Sequence, residues 1–151
     1  MKWMLDTDTC IALIKRQPPN LIKRLQAKAV GDVGISSITL AELRFGASKS
    51  ARRQQNQAAL DQFLLPLDIA AFDELAADSY GDVRAELESN GTPIGPLDTL
   101  IAGHGLSLNV VLVTHNVNSD ELRACELTTG GRLHEGGALA VNHPTFSRDV
   151  Q

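Results

Sequence analysis

Short apolar runs alternate with longer segments of helical periodicity over the first three quarters of the chain. The clearest run is NVVLVT, and KWML and DVGISS are shorter runs of the same kind. Between them, apolar residues recur at helical spacing, as in SITLAELRFGAS. Strands that alternate with helices pair in parallel, because each helix returns the chain to the same end of the sheet. We therefore predict an α/β fold built on a parallel sheet.

Six segments of the chain are predicted to be helical. In chain order they are TCIALIK, NLIKRLQAKA, SITLAELRFGAS, ARRQQNQAALDQFLLPL, FDELAADSYGDVRAELESNG and LDTLIAGHGLSL. Pro66 ends the fourth segment, and Asn90-Gly91 ends the fifth. From Val117 onward the pattern weakens, and we predict a loop followed by a poorly ordered tail.

The bulk properties of the chain restrict its function. A length of 151 residues favours one domain, and the net charge of −4 argues against coating nucleic acid through bulk charge. A nuclease that brings its own cations remains open. Cys10 and Cys125 show no pairing pattern, which indicates a reducing compartment. No apolar run reaches the roughly 18 residues of a membrane span, and no signal-peptide core precedes Asp6. We expect a cytoplasmic protein without membrane contact.

Acidic residues recur where the predicted strands end or the next helix begins. Asp6 follows the first strand, Glu42 lies one turn into a helix, Asp98 opens a helix, and Asp120 comes after the last strand. Ligands bind at the carboxyl edge of such sheets, so these four side chains are expected to converge there. Clustered carboxylates repel one another unless a hard cation such as Mg²⁺ or Mn²⁺ lies between them. Such a site favours metal-assisted attack of water on a phosphodiester.

Each of these acids also has an ordinary structural interpretation. Asp6 suits the N-cap of the first helix, and Thr39 with Glu42 fits a capping box. Asp98 suits the macrodipole at a helix start. Only the joint placement of the acids favours the catalytic interpretation over these alternatives.

A basic segment, RFGASKSARR, follows Glu42 closely. Its cations are Arg44, Lys49, Arg52 and Arg53. They are open to two interpretations, as a solvated helix end or as a guide that leads a phosphate backbone toward the acids.

Four segments of the chain resemble a known family in order and spacing. They are MLDTDTCIALIK, ISSITLAELRFGASKS, YGDVRAELESNGTPIGPLDTLIAGHGLSL and VVLVTHN. The family is that of the VapC-type toxins of bacterial toxin–antitoxin systems, which are PIN-domain ribonucleases. The resemblance implies a parallel sheet of about four or five strands flanked by helices. It also implies Mg²⁺- or Mn²⁺-dependent endoribonuclease activity on structured RNA such as tRNA, a VapB-type antitoxin partner, and a homodimer.

The resemblance assigns roles to individual residues. Asp6 matches the first acid of the family and Asp98 the third, and both are expected to bind metal. Glu42 matches the second acid. Thr7 and Asp8 are expected to shape the site, although Asp8 stands where the family usually has Asn.

The residues after the last predicted strand follow the family only in part. Thr114 and Asn116 match its polar pair, but Ser119 stands at the position of the fourth acid. Asp120 and Glu121 are displaced from that position by one and two residues, and Asp120 is the favoured fourth acid. The family's terminal Trp is absent. We therefore expect a PIN-like domain over residues 1–126 and an atypical tail over residues 127–151.

Two other functions compete with the ribonuclease. The altered end favours a PIN-like binding module that has lost its activity. The stretch DTDT also resembles the Asp-x-Asp motif of haloacid-dehalogenase-type phosphatases, but Cys10 stands where that motif has Thr. Cleavage of RNA would separate the ribonuclease from both alternatives.

Overall fold

A five-stranded sheet forms the centre of the protein. The computed structural model describes residues 1–16, 23, 27–115 and 122–126. The strands in chain order are β1 (Trp3–Leu5), β2 (Val33–Ser36), β3 (Asp68–Ala70), β4 (Val111–His115) and β5 (Leu122–Glu126). Their order across the sheet is β3-β2-β1-β4-β5. The first four are parallel, and β5 pairs antiparallel with β4 at the edge.

The parallel strands are joined through helices, as the alternating sequence pattern predicts. Within the described residues the helices are α1 (Thr7–Ile14), α2 (Ser37–Lys49), α3 (Arg53–Leu64), α4 (Glu74–Ser89) and α5 (Pro96–Ser107). The parallel α/β fold is confirmed. The helix predicted for NLIKRLQAKA lies largely outside the described residues, and so does the predicted tail.

Two strands were not anticipated from the sequence. β3 has three residues, and Asp68 and Ile69 are exposed, so no apolar run marks it. The prediction of a loop from Val117 onward was wrong for Leu122–Glu126, which form β5. An edge strand needs no long apolar run, because a single neighbour is enough to pair it.

Apolar residues cover both faces of the sheet. Along β1, Leu5 joins a cluster formed with α1, α2 and α3, whereas Met4 joins a second cluster formed with α4 and α5. Alternate residues of a strand point to opposite faces, so a short apolar strand serves both cores. None of the helices in the described parts of the chain is long and apolar enough to cross a membrane.

The second core depends on a close approach between α4 and α5. A Cβ atom at Gly103 would lie 2.6 Å from the Cα of Tyr80, which is backbone and cannot swing aside. Gly81 on α4, by contrast, has no atom within 4 Å of such a Cβ.

We expect Gly103→Ala and Gly81→Ala to change stability in opposite directions. The first forces the two helices apart and should lower the free energy of unfolding by about 2 kcal/mol or more. The second should raise it by up to about 1 kcal/mol, because alanine has the higher helix propensity. Urea unfolding of the two variants measures both. Equal stability of Gly103→Ala and the wild type would contradict this packing.

Candidate active site

Asp6 is fixed at the junction of two strands and a helix. Its backbone N–H donates to the Val113 carbonyl of β4 at 3.1 Å. Its carboxylate caps α1 by accepting from the backbone N–H of Thr9 at 2.7 Å. The Thr9 hydroxyl in turn donates to the Val113 carbonyl at 3.1 Å. The N-cap interpretation of Asp6 is therefore confirmed, and the cap itself holds the carboxylate at the carboxyl edge of the sheet.

The Asp6 carboxylate is in an unfavourable electrostatic position. Burial, with smaller contributions from the charges of Asp8 and Asp98, raises its pKa to about 7, although hydrogen bonds from Thr9 act in the opposite direction. The neutral form of Asp6 is therefore favoured over a wider pH range than that of an ordinary aspartate. A bound cation would favour the ionised form.

Asp98 approaches the same position from α5. It lies in the first turn of that helix, behind Pro96, and its charge reaches Asp6. A Cβ atom at Gly95 would lie 2.7 Å from the Asp98 Oδ2 atom, so the glycine leaves room for this carboxylate. Asp98 thus suits the dipole at the helix start and also acts on the carboxylate of Asp6.

Glu42 is connected to the site through Thr7. The Thr7 hydroxyl donates to the Glu42 carboxylate, which links α1 to α2. The predicted capping box was wrong, because Ser36 caps α2 by accepting from the Ile38 N–H at 3.0 Å, and Thr39 is buried inside the helix. Glu42 is therefore directed to the site instead of the helix end.

A buried histidine ties these elements together. His104 on α5 is fully buried, and its Nδ1 lies 2.8 Å from the Ser36 Oγ. Burial lowers its pKa, although the charge of Asp73 opposes this, and the ring packs edge-on against Phe72 at 5.4 Å. The two residues are 68 positions apart, so no local pattern in the sequence indicates that they are partners.

Of the remaining predicted site residues, two belong to the described part of the chain and three lie outside it. Asp8 is exposed in the first turn of α1, and Thr114 is half-buried near the end of β4. Asn116, Asp120 and Glu121 lie outside the described residues.

The carboxylates near Asp6 are the side chains that could bind a divalent cation. Among residues 1–16, 23, 27–115 and 122–126, no group of three or more His, Cys, Asp or Glu side chains is arranged to hold a metal ion. Mg²⁺ requires fewer, because water and substrate phosphate complete its octahedral shell around one or two carboxylates. Asp6 and Asp98 are two such carboxylates. Burial and repulsion disfavour the ionised form of Asp6, and a cation would offset both. The residues present fit the metal.

Comparisons with known proteins agree with this architecture. The family model described as the PIN domain matches residues 3–123. The chain is 43% identical to the tRNA(fMet)-specific endonuclease VapC of Salmonella typhimurium over 121 residues, which is 80% of this chain and 91% of that protein. It is also 43% identical to Ribonuclease VapC2 of Rickettsia felis over 118 residues, 78% of this chain and 88% of that one.

The fold leads to the same group of proteins. The structure of VapBC2 from Rickettsia felis bound to a promoter DNA fragment superposes with a TM-score of 0.72 at 43% identity. The alignment covers 78% of this chain and 89% of that one. With a family match over most of its length and two relatives at this identity, the chain belongs to the PIN-domain family, among its VapC ribonucleases.

Proposed function

We propose that this VapC ribonuclease is a Mg²⁺- or Mn²⁺-dependent endoribonuclease that cuts structured RNA, with tRNA as the favoured substrate. The observation that carries the proposal is the partly buried carboxylate of Asp6. Its pKa is raised to about 7 by burial and by the charges of the neighbouring Asp8 and Asp98. Folding alone gives no reason to place three acids around one partly buried position. The name of the Salmonella relative, a tRNA(fMet)-specific endonuclease, favours tRNA.

Asp6 and Asp98 would hold the cation. A cation held there would neutralise charge on the attacked phosphate and would make a water molecule a better nucleophile. Asp6 must lose its proton to serve as a ligand, so binding releases a proton below about pH 7. The cap from Thr9 keeps the carboxylate in one orientation as this occurs.

Glu42 is the group proposed to accept a proton from the attacking water. The Thr7 hydroxyl donates to the Glu42 carboxylate and fixes its direction. The exposed Asp8 adds negative charge beside Asp6 and so strengthens the demand for a cation. Thr7 and Asp8 thus shape the site without binding metal.

The loop after β4 is proposed to complete the site. Thr114 and Asn116 would contact substrate, and Asp120 would supply the fourth acid, with Glu121 as the alternative. Displacement of that acid from the family's position predicts weaker catalysis, because Mg²⁺ tolerates little distortion of its shell.

A VapB-type antitoxin is proposed as the partner that silences the enzyme, and a homodimer as its assembly. The solved relatives from Rickettsia felis and Salmonella typhimurium are VapBC complexes. An arginine from the partner could pair with the acids at this edge and compete with the cation.

The two alternatives to a ribonuclease are not equal. Membership of the PIN-domain family removes the haloacid-dehalogenase-type phosphatase. An inactive PIN-like binding module is favoured only by the altered residues after Asn116, whereas Asp6, Glu42 and Asp98 are all present.

Removal of either proposed metal ligand should abolish cleavage. We expect Asp6→Asn and Asp98→Asn to lower the rate on total tRNA with Mg²⁺ by at least about a hundredfold, because each loses an anionic ligand at unchanged volume. Mapping of new RNA ends measures the rate. Asp82→Asn, an exposed acid on α4, is the matched control and should retain activity. Full activity of either ligand variant, or of the wild type in EDTA, would contradict the proposal.

The metal-free protein should lose stability as pH rises. The folded-state pKa of Asp6 lies above its ordinary 3.8, so its contribution is complete below about pH 4 and is lost as pH rises through about 7. Asn at this position keeps the cap and cannot ionise.

In EDTA at pH 8 we expect Asp6→Asn to be more stable than the wild type by about 2 kcal/mol. This is less than the full pKa shift of Asp6 implies, because solvent reaches the carboxylate and screens its charge. At pH 5 the difference should be smaller. Urea unfolding across this range measures both values, and a constant difference would show that Asp6 does not titrate there.

A further inference from the structure

Phe45 is a large apolar side chain left in solvent beside the acidic site. It lies on α2 and is 68% exposed. The buried face of this helix is formed by Thr39, Leu43 and Ala47, so Phe45 does not contribute to the core. It follows Glu42 by three residues, which places it slightly less than one helical turn, about 4.5 Å, further along the axis.

The helix surface next to Phe45 is open. Gly46 is in the helix interior, where glycine costs up to about 1 kcal/mol relative to alanine. A Cβ atom there would have no neighbour within 4 Å, so packing does not require the glycine. A flat surface beside an exposed ring is the consequence.

Positive charge continues along the same face. Lys49 follows Phe45 by one turn, and its Nζ lies 5.9 Å from the centre of the ring. Glu42, Phe45 and Lys49 fall within about 60° of one another around the helix. Arg52 and Arg53 are exposed just beyond its end, whereas the Arg44 guanidinium is bound to Asp61 at 2.7 Å.

We propose that Phe45 is a stacking platform for an unpaired RNA base close to the cleaved bond, with Lys49 contacting the adjacent phosphate. The inference rests on the proposed ribonuclease function and assigns a recognition role to a residue outside the acidic cluster. An aromatic ring flanked by cations suits a polyanion whose bases are exposed. In a duplex the base faces are stacked internally, so this surface selects single-stranded loops.

The proposal predicts distinct effects of aromatic, apolar and charge substitutions. In EDTA, so that no cleavage occurs, Phe45→Ala should weaken binding of a short fluorescent unstructured oligoribonucleotide about tenfold. Phe45→Tyr should restore the affinity, and Phe45→Leu should not. Lys49→Ala should reduce the slope of log K against log salt by about 0.7, whereas Phe45→Ala should leave the slope unchanged.

Two controls make the result specific. A duplex of the same sequence should bind equally to the wild type and to Phe45→Ala. Leu108→Ala removes another exposed apolar side chain, 41% exposed and located after α5 at the opposite edge of the sheet, and should have no effect.

Unchanged single-strand affinity in Phe45→Ala overturns the inference, as does an equal loss for duplex or no rescue by Phe45→Tyr. If Phe45→Ala instead changes only self-association or antitoxin capture, the surface is a protein interface and the inference is likewise wrong. Wild-type protein that binds the oligonucleotide through Phe45 but does not cut RNA with Mg²⁺ would contradict the proposed function alone.

Discussion

The partly buried carboxylate of Asp6 is the constraint on which the site depends. Asp6 lies between β1 and α1, and its backbone N–H donates to β4. Three elements therefore meet at one charged residue. Burial makes its ionised form costly, and two further acids add to that cost. The proposed divalent cation would offset this cost by favouring the ionised form.

The elements that carry the other acids are fixed relative to Asp6 by a few polar contacts. Thr7 joins α1 to Glu42 on α2, and Ser36 with His104 joins the start of α2 to α5, which carries Asp98. The first contact joins two helices of the same apolar core, and the second joins α2 of that core to α5 of the other. The packing that stabilises the domain therefore also sets the geometry of the site. Phe45 and Lys49 are exposed and do not contribute to that packing.

The sequence was sufficient for much of this architecture because its main features are periodic. β1, β2 and β4 are apolar runs, and their parallel order follows from the helices between them. β3 and β5 escaped prediction because both are edge strands, and an edge strand needs no such run. The placement of Asp6 and Asp98 near one edge followed from strand ends. The Thr7–Glu42 and Ser36–His104 pairs join residues 35 and 68 positions apart, and no local pattern reveals such partners.

The proposed role of Asp6 as a cation ligand is tested most directly by a measurement of its pKa. Carboxyl carbon NMR of the protein, labelled at aspartate and assigned with Asp6→Asn, follows its titration with and without Mg²⁺. We expect a pKa near 7 in EDTA and a clear fall of that pKa when Mg²⁺ is added. A pKa near the ordinary 3.8 in EDTA, or one that Mg²⁺ leaves unchanged, would contradict it.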